Sequence, residues 1–195
     1  MNIRNRLCLI FFVLFFFSCA KAQDVGIKTN FVDDAFLNVN LGLEVGLSAR
    51  WTFDMPASYN NWSLSNGKKW KHWWVQPGVR YWFCDRFSGH FLGVHSHGGQ
   101  FNMGGYNGHL HFLGTDMRKL EDNRYQGWFV GGGVSYGYAW VLGNHWNLEG
   151  ELGFGYSYTR FDRFKCAGCG KKVEGPTYHN YVGPTKLALN LVYLF

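Results

Sequence analysis

Few residues in this chain have the type and spacing to do chemistry, and each of them has a second reading. His95 and His97 stand two apart. On a β-strand that spacing puts both imidazoles on one face, where they could share a metal ion. No third ligand follows at a fixed spacing, although His90, His109 and His111 are near, and the same pair serves equally as hydrogen-bonding groups inside a fold. Cys166-Ala167-Gly168-Cys169 is a C-x-x-C. In an exported chain it reads as a disulfide bracing a loop, as half of a zinc site completed by His179, or as a redox motif, which would need a helix to open. Glu149 and Glu151 lie about 7 Å apart along one strand face, a separation that suits paired carboxylates and that any polar strand face also produces. The sequence has no G-x-S-x-G, Walker A or H-E-x-x-H. Gly131-Gly132-Gly133 sits inside a strand pattern and is not a phosphate loop. No catalytic residue, metal or cofactor is therefore assigned.

The elements that carry these residues alternate with period two. Trp146, Leu148, Leu152, Phe154, Tyr156 and Tyr158 share one face, opposite Asn147, Glu149, Glu151, Gly153, Gly155 and Ser157. Trp128, Val130, Val134, Tyr136, Tyr138, Trp140 and Leu142 oppose a face of mostly small residues, and Val39, Leu41, Leu43, Val45 and Leu47 oppose Asn40, Gly42, Glu44 and Gly46. Composition agrees. Of 195 residues, 19% are aromatic and only 16% charged, against about 25% charged in an average soluble chain. That excludes disorder, and the 26 glycines have no fixed period, which excludes collagen.

Eight strands are expected, at 25–31, 39–47, 51–62, 73–83, 90–100, 128–142, 146–158 and 184–195. Tight connections at 48–50, 84–87 and 143–145 alternate with longer ones at 32–38, 63–72, 101–127 and 163–183. In the third long loop, Thr115 is expected to cap one or two helical turns over 115–122. Short turns at one end and long loops at the other are the habit of outer-membrane proteins. The pattern predicts an all-β, eight-stranded antiparallel up-and-down transmembrane β-barrel with short periplasmic turns and longer extracellular loops. Cys84 falls in one of those turns and is expected to be free or buried.

Residues 1–22 read as a secretory signal peptide, leaving residues 23–195 as the barrel domain. Arg4 and Arg6 precede an apolar run over 7–17, and Ala20-Lys21-Ala22 is a cleavage site. The run is too short to span a bilayer. Cys19, after Phe16-Phe17-Ser18, is a rival lipidation site. The formal charge of +6 falls to about +3 once Arg4, Arg6 and Lys21 leave with the leader, which is not a nucleic-acid footprint.

With apolar faces outward, the inward faces carry Lys28, Glu44, Asp54, Arg80, Glu149, Glu151 and Lys186. Eight strands leave an interior just wide enough for side chains, so these charges are expected to pair as a plug, with Arg80 and the two lysines bridging the carboxylates. Trp51, Tyr59, Trp73, Tyr81, Trp128, Trp140, Trp146, Tyr158 and Tyr193 fall near strand ends, where interfacial girdles form. Trp62, Trp70, Trp73 and Trp74, beside Lys68, Lys69 and Lys71, read as part of such a belt or as a surface for glycan or lipopolysaccharide phosphates. The last strand alternates through Thr185, Leu187, Leu189, Leu191 and Tyr193 and ends on Phe195. Tyr193 and Phe195 thus form the signal that a Gram-negative barrel-assembly machinery would recognise.

The chain resembles an uncharacterised family of small outer-membrane barrels from Bacteroidota, a domain-of-unknown-function family. The resemblance rests on Ile27-Lys28-Thr29-Asn30, Asn40-Leu41-Gly42-Leu43-Glu44, Lys69-Trp70-Lys71-His72-Trp73, Arg80-Tyr81-Trp82-Phe83, His95-Ser96-His97-Gly98-Gly99, Gly131-Gly132-Gly133, Cys166 to Gly170 and Gly183-Pro184-Thr185-Lys186. It implies the barrel and an outer-membrane location, and no activity.

The expectation is a non-enzymatic protein of the cell outer membrane, in contact with outer-membrane lipid, with a structural, binding or adhesion role through its extracellular loops. A barrel enzyme acting on lipid or peptide at the outer rim is a second reading, with His97, His109, His111 and Asp116 to test. A soluble lipocalin-like barrel, with its apolar faces turned inward around a ligand, is a third.

Overall fold

The structure is a computed structural model and describes residues 24–63, 69–105, 111–112, 115–116, 123–165 and 170–195. The leader at 1–22, Cys166 and Cys169 lie outside the described residues. Strand β1 is Val25–Asn30, helix α1 Phe31–Ala35, β2 Val39–Gly46 and β3 Trp51–Ser63. Strand β4 runs in two segments, Lys69–Val75 and Gly78–Trp82, and is followed by β5 Gly89–Gly104, β6 Asn123–Val141, β7 Trp146–Lys165 and β8 Lys172–Leu194.

Each strand pairs antiparallel with its neighbours in sequence, and β1 closes on β8 with Gly26 opposite Leu194 and Asn30 opposite Asn190. The result is a closed eight-stranded antiparallel barrel, in which β1 covers the inner end of β8 over residues 190–194. The break in β4 falls at Gln76–Pro77. Proline has no N–H to give the ladder. The backbone there is instead satisfied by Gln76 N donating to Pro56 O at 3.0 Å and Ser96 N donating to Pro77 O at 2.9 Å.

The strands are longer at the loop end than their alternation alone predicts. β6, β7 and β8 have 19, 20 and 23 residues, whereas β1 and β2 have 6 and 8. The expected loops at 63–72, 101–127 and 163–183 are correspondingly shorter. Residues 101–104, 123–127 and 159–165 continue the ladder although most of their outward side chains, Asn102, Arg124, Gln126, Arg160 and Asp162, are polar or charged, a pattern that reads as loop in the sequence. Thr115 does not stand as a helix cap, and residues 117–122 of the expected helical turn lie outside the described residues. Thr115–Asp116 instead pairs as a two-residue strand with His111–Phe112.

The expected loop at 32–38 holds α1. Asn30 caps it by accepting from Val32 N at 3.1 Å, and Asn40 ties it down by donating to Asp34 Oδ1 at 2.6 Å. Burial pushes the Asp33 carboxyl upward, against hydrogen bonds from Asn38 and Asn30 that hold it down.

The barrel interior is layered. At the turn end Trp82, Phe87, Phe91, Ala139, Val192 and Leu194 form an apolar plug. At the loop end Phe101, Met103, Tyr125, Phe129 and Phe161 form a second, against which Trp70 and Trp74 pack from the inner face of β4. Of the described members of that tryptophan–lysine run on β4, Lys69, Lys71 and Trp73 point outward, because β4 alternates. Between the plugs lies a polar middle.

Candidate functional site

The polar middle is assembled from six strands. Lys28 comes from β1, Glu44 from β2, Asp54 from β3, Arg80 from β4, Glu149 and Glu151 from β7 and Lys186 from β8. Each stands on the inward face of its strand, and all seven are buried. Arg80 is the hub. Its Nη1 lies 2.7 Å from Glu44 and 3.1 Å from Glu149, and its Nη2 lies 3.0 Å from Asp54 and 2.5 Å from Glu151. Lys28 Nζ reaches Glu44 at 2.5 Å, Asp54 at 2.8 Å and Glu149 at 3.5 Å. Lys186 Nζ reaches Asp54 and Glu151, each at 3.1 Å. Three cations thus meet four carboxylates, and each of the seven has at least two opposite charges within reach.

The planar guanidinium can serve four carboxylates at once because its N–H groups fan out in a fixed fork. Its other face lies 4.5 Å from the centre of the Phe91 ring. Two glycines make room for the long side chains. A Cβ at Gly42 would stand 2.6 Å from Lys28 Cγ, and one at Gly93 would stand 2.5 Å from Ser135 Oγ. Unpaired, charges at this depth would cost several kcal/mol each, on the order of the desolvation of an ion in a protein interior.

Three partners of the network are not evident in the sequence. Thr52 Oγ1 donates to Glu44 Oε1 at 2.5 Å, and Ser135 Oγ donates to Glu151 Oε1 at 2.6 Å. Trp82 Nε1 in turn donates to Thr52 Oγ1 at 3.0 Å. The signal that could have found Thr52 is its place two residues from Asp54 on the same face. Ser135 and Trp82 are identified only by closure of the barrel.

Towards the loop end the network gives way to His95 and His97, both buried, with ring centres 6.0 Å apart. His95 Nε2 is 3.0 Å from Thr185 Oγ1. The alternation of β8 puts Thr185 on the outward face with Leu187, and the structure corrects this. A bulge opposite Gly153 and Phe154 inserts Thr185 as an extra residue, which turns its hydroxyl inward beside Lys186. His97 stacks over Gly131, where a Cβ would come within 2.5 Å of its Nε2, and neither of its ring nitrogens has a hydrogen-bond partner. Among the described residues no set of three His, Cys, Asp or Glu converges as metal ligands. His179 of the alternative zinc reading is half-buried on β8, opposite Thr159. Cys84 is a free, exposed thiol in the β4–β5 turn.

Outside, the barrel carries two aromatic rings of residues. At the turn end Trp51 meets Tyr81, Tyr138 meets Trp140 and Trp146 meets Tyr193, with centres 4.9 to 5.0 Å apart. Tyr193 also meets Phe195 edge-on at 5.1 Å, and Phe195 N donates to Val25 O at 3.0 Å. At the loop end Trp128, Tyr158 and Tyr178 are in series, at 5.8 and 6.0 Å, level with Tyr59 and Trp73. Between the two rings the outward residues include Met55, Val75, Val94, Val134, Leu152, Phe154 and Leu187, all exposed. Among the described residues no Asp, Glu, Lys or Arg faces outward in that band.

Fold and interior together define a small closed antiparallel barrel, apolar outside and ion-paired inside. A family model described as a protein of unknown function (DUF3575) matches residues 7–195, and the chain belongs to that family. No curated protein and no solved structure matches it.

Proposed function

We propose that the protein is an integral barrel of the outer membrane of a Gram-negative bacterium of the Bacteroidota, exported by the cleaved leader at 1–22 and inserted by the barrel-assembly machinery. It is not an enzyme. Its role is structural or adhesive, or is the binding of a ligand through the loop end. The observation that carries this reading is the uncharged outward band between two aromatic rings. From Trp128 to Tyr138 on β6 the chain rises about 34 Å, and a tilt of about 40° reduces that to about 26 Å of height, close to the apolar band of known membrane barrels. The even strand number puts both chain ends on the turn side, so the short turns face the periplasm and the loops face outward. The packed lumen supports a role other than conduction, because its charges are engaged with one another and both ends are closed by aromatic plugs. The resemblance to small Bacteroidota barrels supports the location.

Heat-modifiable gel mobility of the mature protein from isolated outer membranes tests this reading. A folded barrel resists SDS until boiled, so a shift on boiling is expected in that fraction. A periplasmic, soluble protein with no shift would refute the membrane assignment.

A further inference from the structure

We propose that the outer wall above the loop-end aromatic ring binds the phosphorylated sugar headgroup of a lipid in the adjoining leaflet. This rests on the membrane reading above. The wall continues beyond Tyr59, Trp73 and Trp128 as two further outward rows that follow the ladder. One runs Asn61, Lys71, Asn102, Gln126 and Asp162, and the next includes Lys69, Arg124, Phe164 and Lys172. Arg160 stands level with Trp128. The outward charges here are Lys69, Lys71, Arg124, Arg160 and Lys172 against the single described carboxylate Asp162, which Lys172 holds at 2.8 Å. Among the described residues the other four cations have no carboxylate within ion-pair distance. An apolar belt that ends in a net positive rim meets an anionic headgroup layer with complementary charge.

The two arginines are held for this task. The Arg124 guanidinium lies 4.4 Å over the Phe164 ring, with its buried Nε unpartnered, and Arg160 lies 5.7 Å from the Tyr178 ring. A guanidinium resting on a ring keeps its N–H edge free for two phosphate oxygens. Between these cations and Lys71 the wall is hollowed into a groove of about 500 Å³. Its lining includes the rings of Tyr59, Trp73 and Trp128 and the amides of Asn61, Gln100, Asn102 and Gln126, with the Lys172-paired carboxylate of Asp162 and the Phe164 ring at its upper side. Asn102 Oδ1 is buried without a partner. Ring faces take the C–H face of a sugar, and amides take its hydroxyls. Lys71 and Arg160 flank the groove three strands apart, about 14 Å by the inter-strand spacing, which suits anionic groups on either side of a sugar unit. The occupant is a lipid because the groove opens directly onto the apolar belt at Val75 and Val130, where acyl chains would run.

The test refolds wild type and a Lys71→Gln/Arg124→Gln/Arg160→Gln variant into four kinds of phosphatidylcholine vesicle: plain, with purified phosphorylated lipid A, with the same lipid A dephosphorylated, or with phosphatidylglycerol. Unfolding in urea is then followed. With lipid near ten times its Kd, phosphorylated lipid A is expected to lower the wild-type unfolding constant about tenfold. The dephosphorylated lipid gives less, and the variant gains nothing from either. A wild type that gains nothing, or a variant that gains as much, overturns the inference. An equal gain from phosphatidylglycerol overturns its sugar component. A wild type that fails to insert even into plain vesicles overturns the membrane reading itself. Wild type that inserts but is indifferent to lipid A overturns this site alone. Lys71→Gln by itself, with a smaller expected loss, serves if the triple variant does not fold.

Discussion

Replacing Arg80 with methionine removes the hub of the lumen and keeps roughly its apolar volume. Four carboxylates, Glu44, Asp54, Glu149 and Glu151, lose their common partner and are left to Lys28 and Lys186 alone. Removing one member of a buried ion pair costs about 3–5 kcal/mol. Arg80 touches four carboxylates and is 2% exposed, so its loss belongs at the upper end, about 5 kcal/mol or more than three decades in the unfolding equilibrium. Urea unfolding of the barrel refolded in detergent micelles, read by tryptophan fluorescence, measures it. The mechanism has its own control. Adding Glu44→Gln and Glu151→Gln to Arg80→Met leaves two lysines against two carboxylates and is expected to recover most of the loss, as neutral replacement of buried ion pairs does elsewhere. If Arg80→Met unfolds within about 1 kcal/mol of wild type, the network does not hold the lumen together. If the triple variant is no better than the single one, the cost lies in lost packing against Phe91 and not in uncompensated charge.

Four other outcomes are expected. Trp82→Ala, at a side chain with no exposure and a hydrogen bond to Thr52, is expected to cost about 3–5 kcal/mol in the same urea assay. Gly133→Ala would drive a Cβ against the backbone at Phe154 and Gly155, and the heat-modifiable fraction of the expressed protein is expected to fall sharply. Cys84, in a Cys166→Ser/Cys169→Ser background, is expected to react with a membrane-impermeant thiol reagent only after the cells are permeabilised; labelling of intact cells would invert the proposed orientation. Deleting Phe195, whose ring packs on Tyr193 but is otherwise exposed, is expected to impair insertion in cells while leaving refolding in micelles nearly unchanged.

Much of this barrel is legible along the chain because a strand writes its two environments into alternate residues. The runs at 39–47, 128–142 and 146–158 place Glu44, Glu149 and Glu151 on one side and the aromatic and aliphatic residues on the other, and the structure keeps that division. Period two reports the face but neither the neighbour nor the length. The ends of β5 to β8 are missed because Asn102, Gln126 and Asp162 face outward above the apolar band, where alternation between apolar and polar residues disappears although the backbone ladder continues. Thr185 is placed on the wrong face because a single-residue bulge reverses the parity of everything before it in β8. Trp70 and Trp74 look like belt residues by composition, and their register against β5 puts them inside.

By itself the sequence determines the strands, the sidedness of most of them and the inventory of buried charges, since these depend on local periodicity and on the need of buried charges for partners. Only the tertiary structure decides which charge meets which. Arg80 is separated from Glu44 by 36 residues and from Glu151 by 71, and closure of β1 on β8 is what brings Lys28 and Lys186 to the same four carboxylates. Such contacts depend on barrel shear, on the bulge at Thr185 and on the glycines that clear a path for long side chains, all of which are properties of the closed sheet and of no single strand.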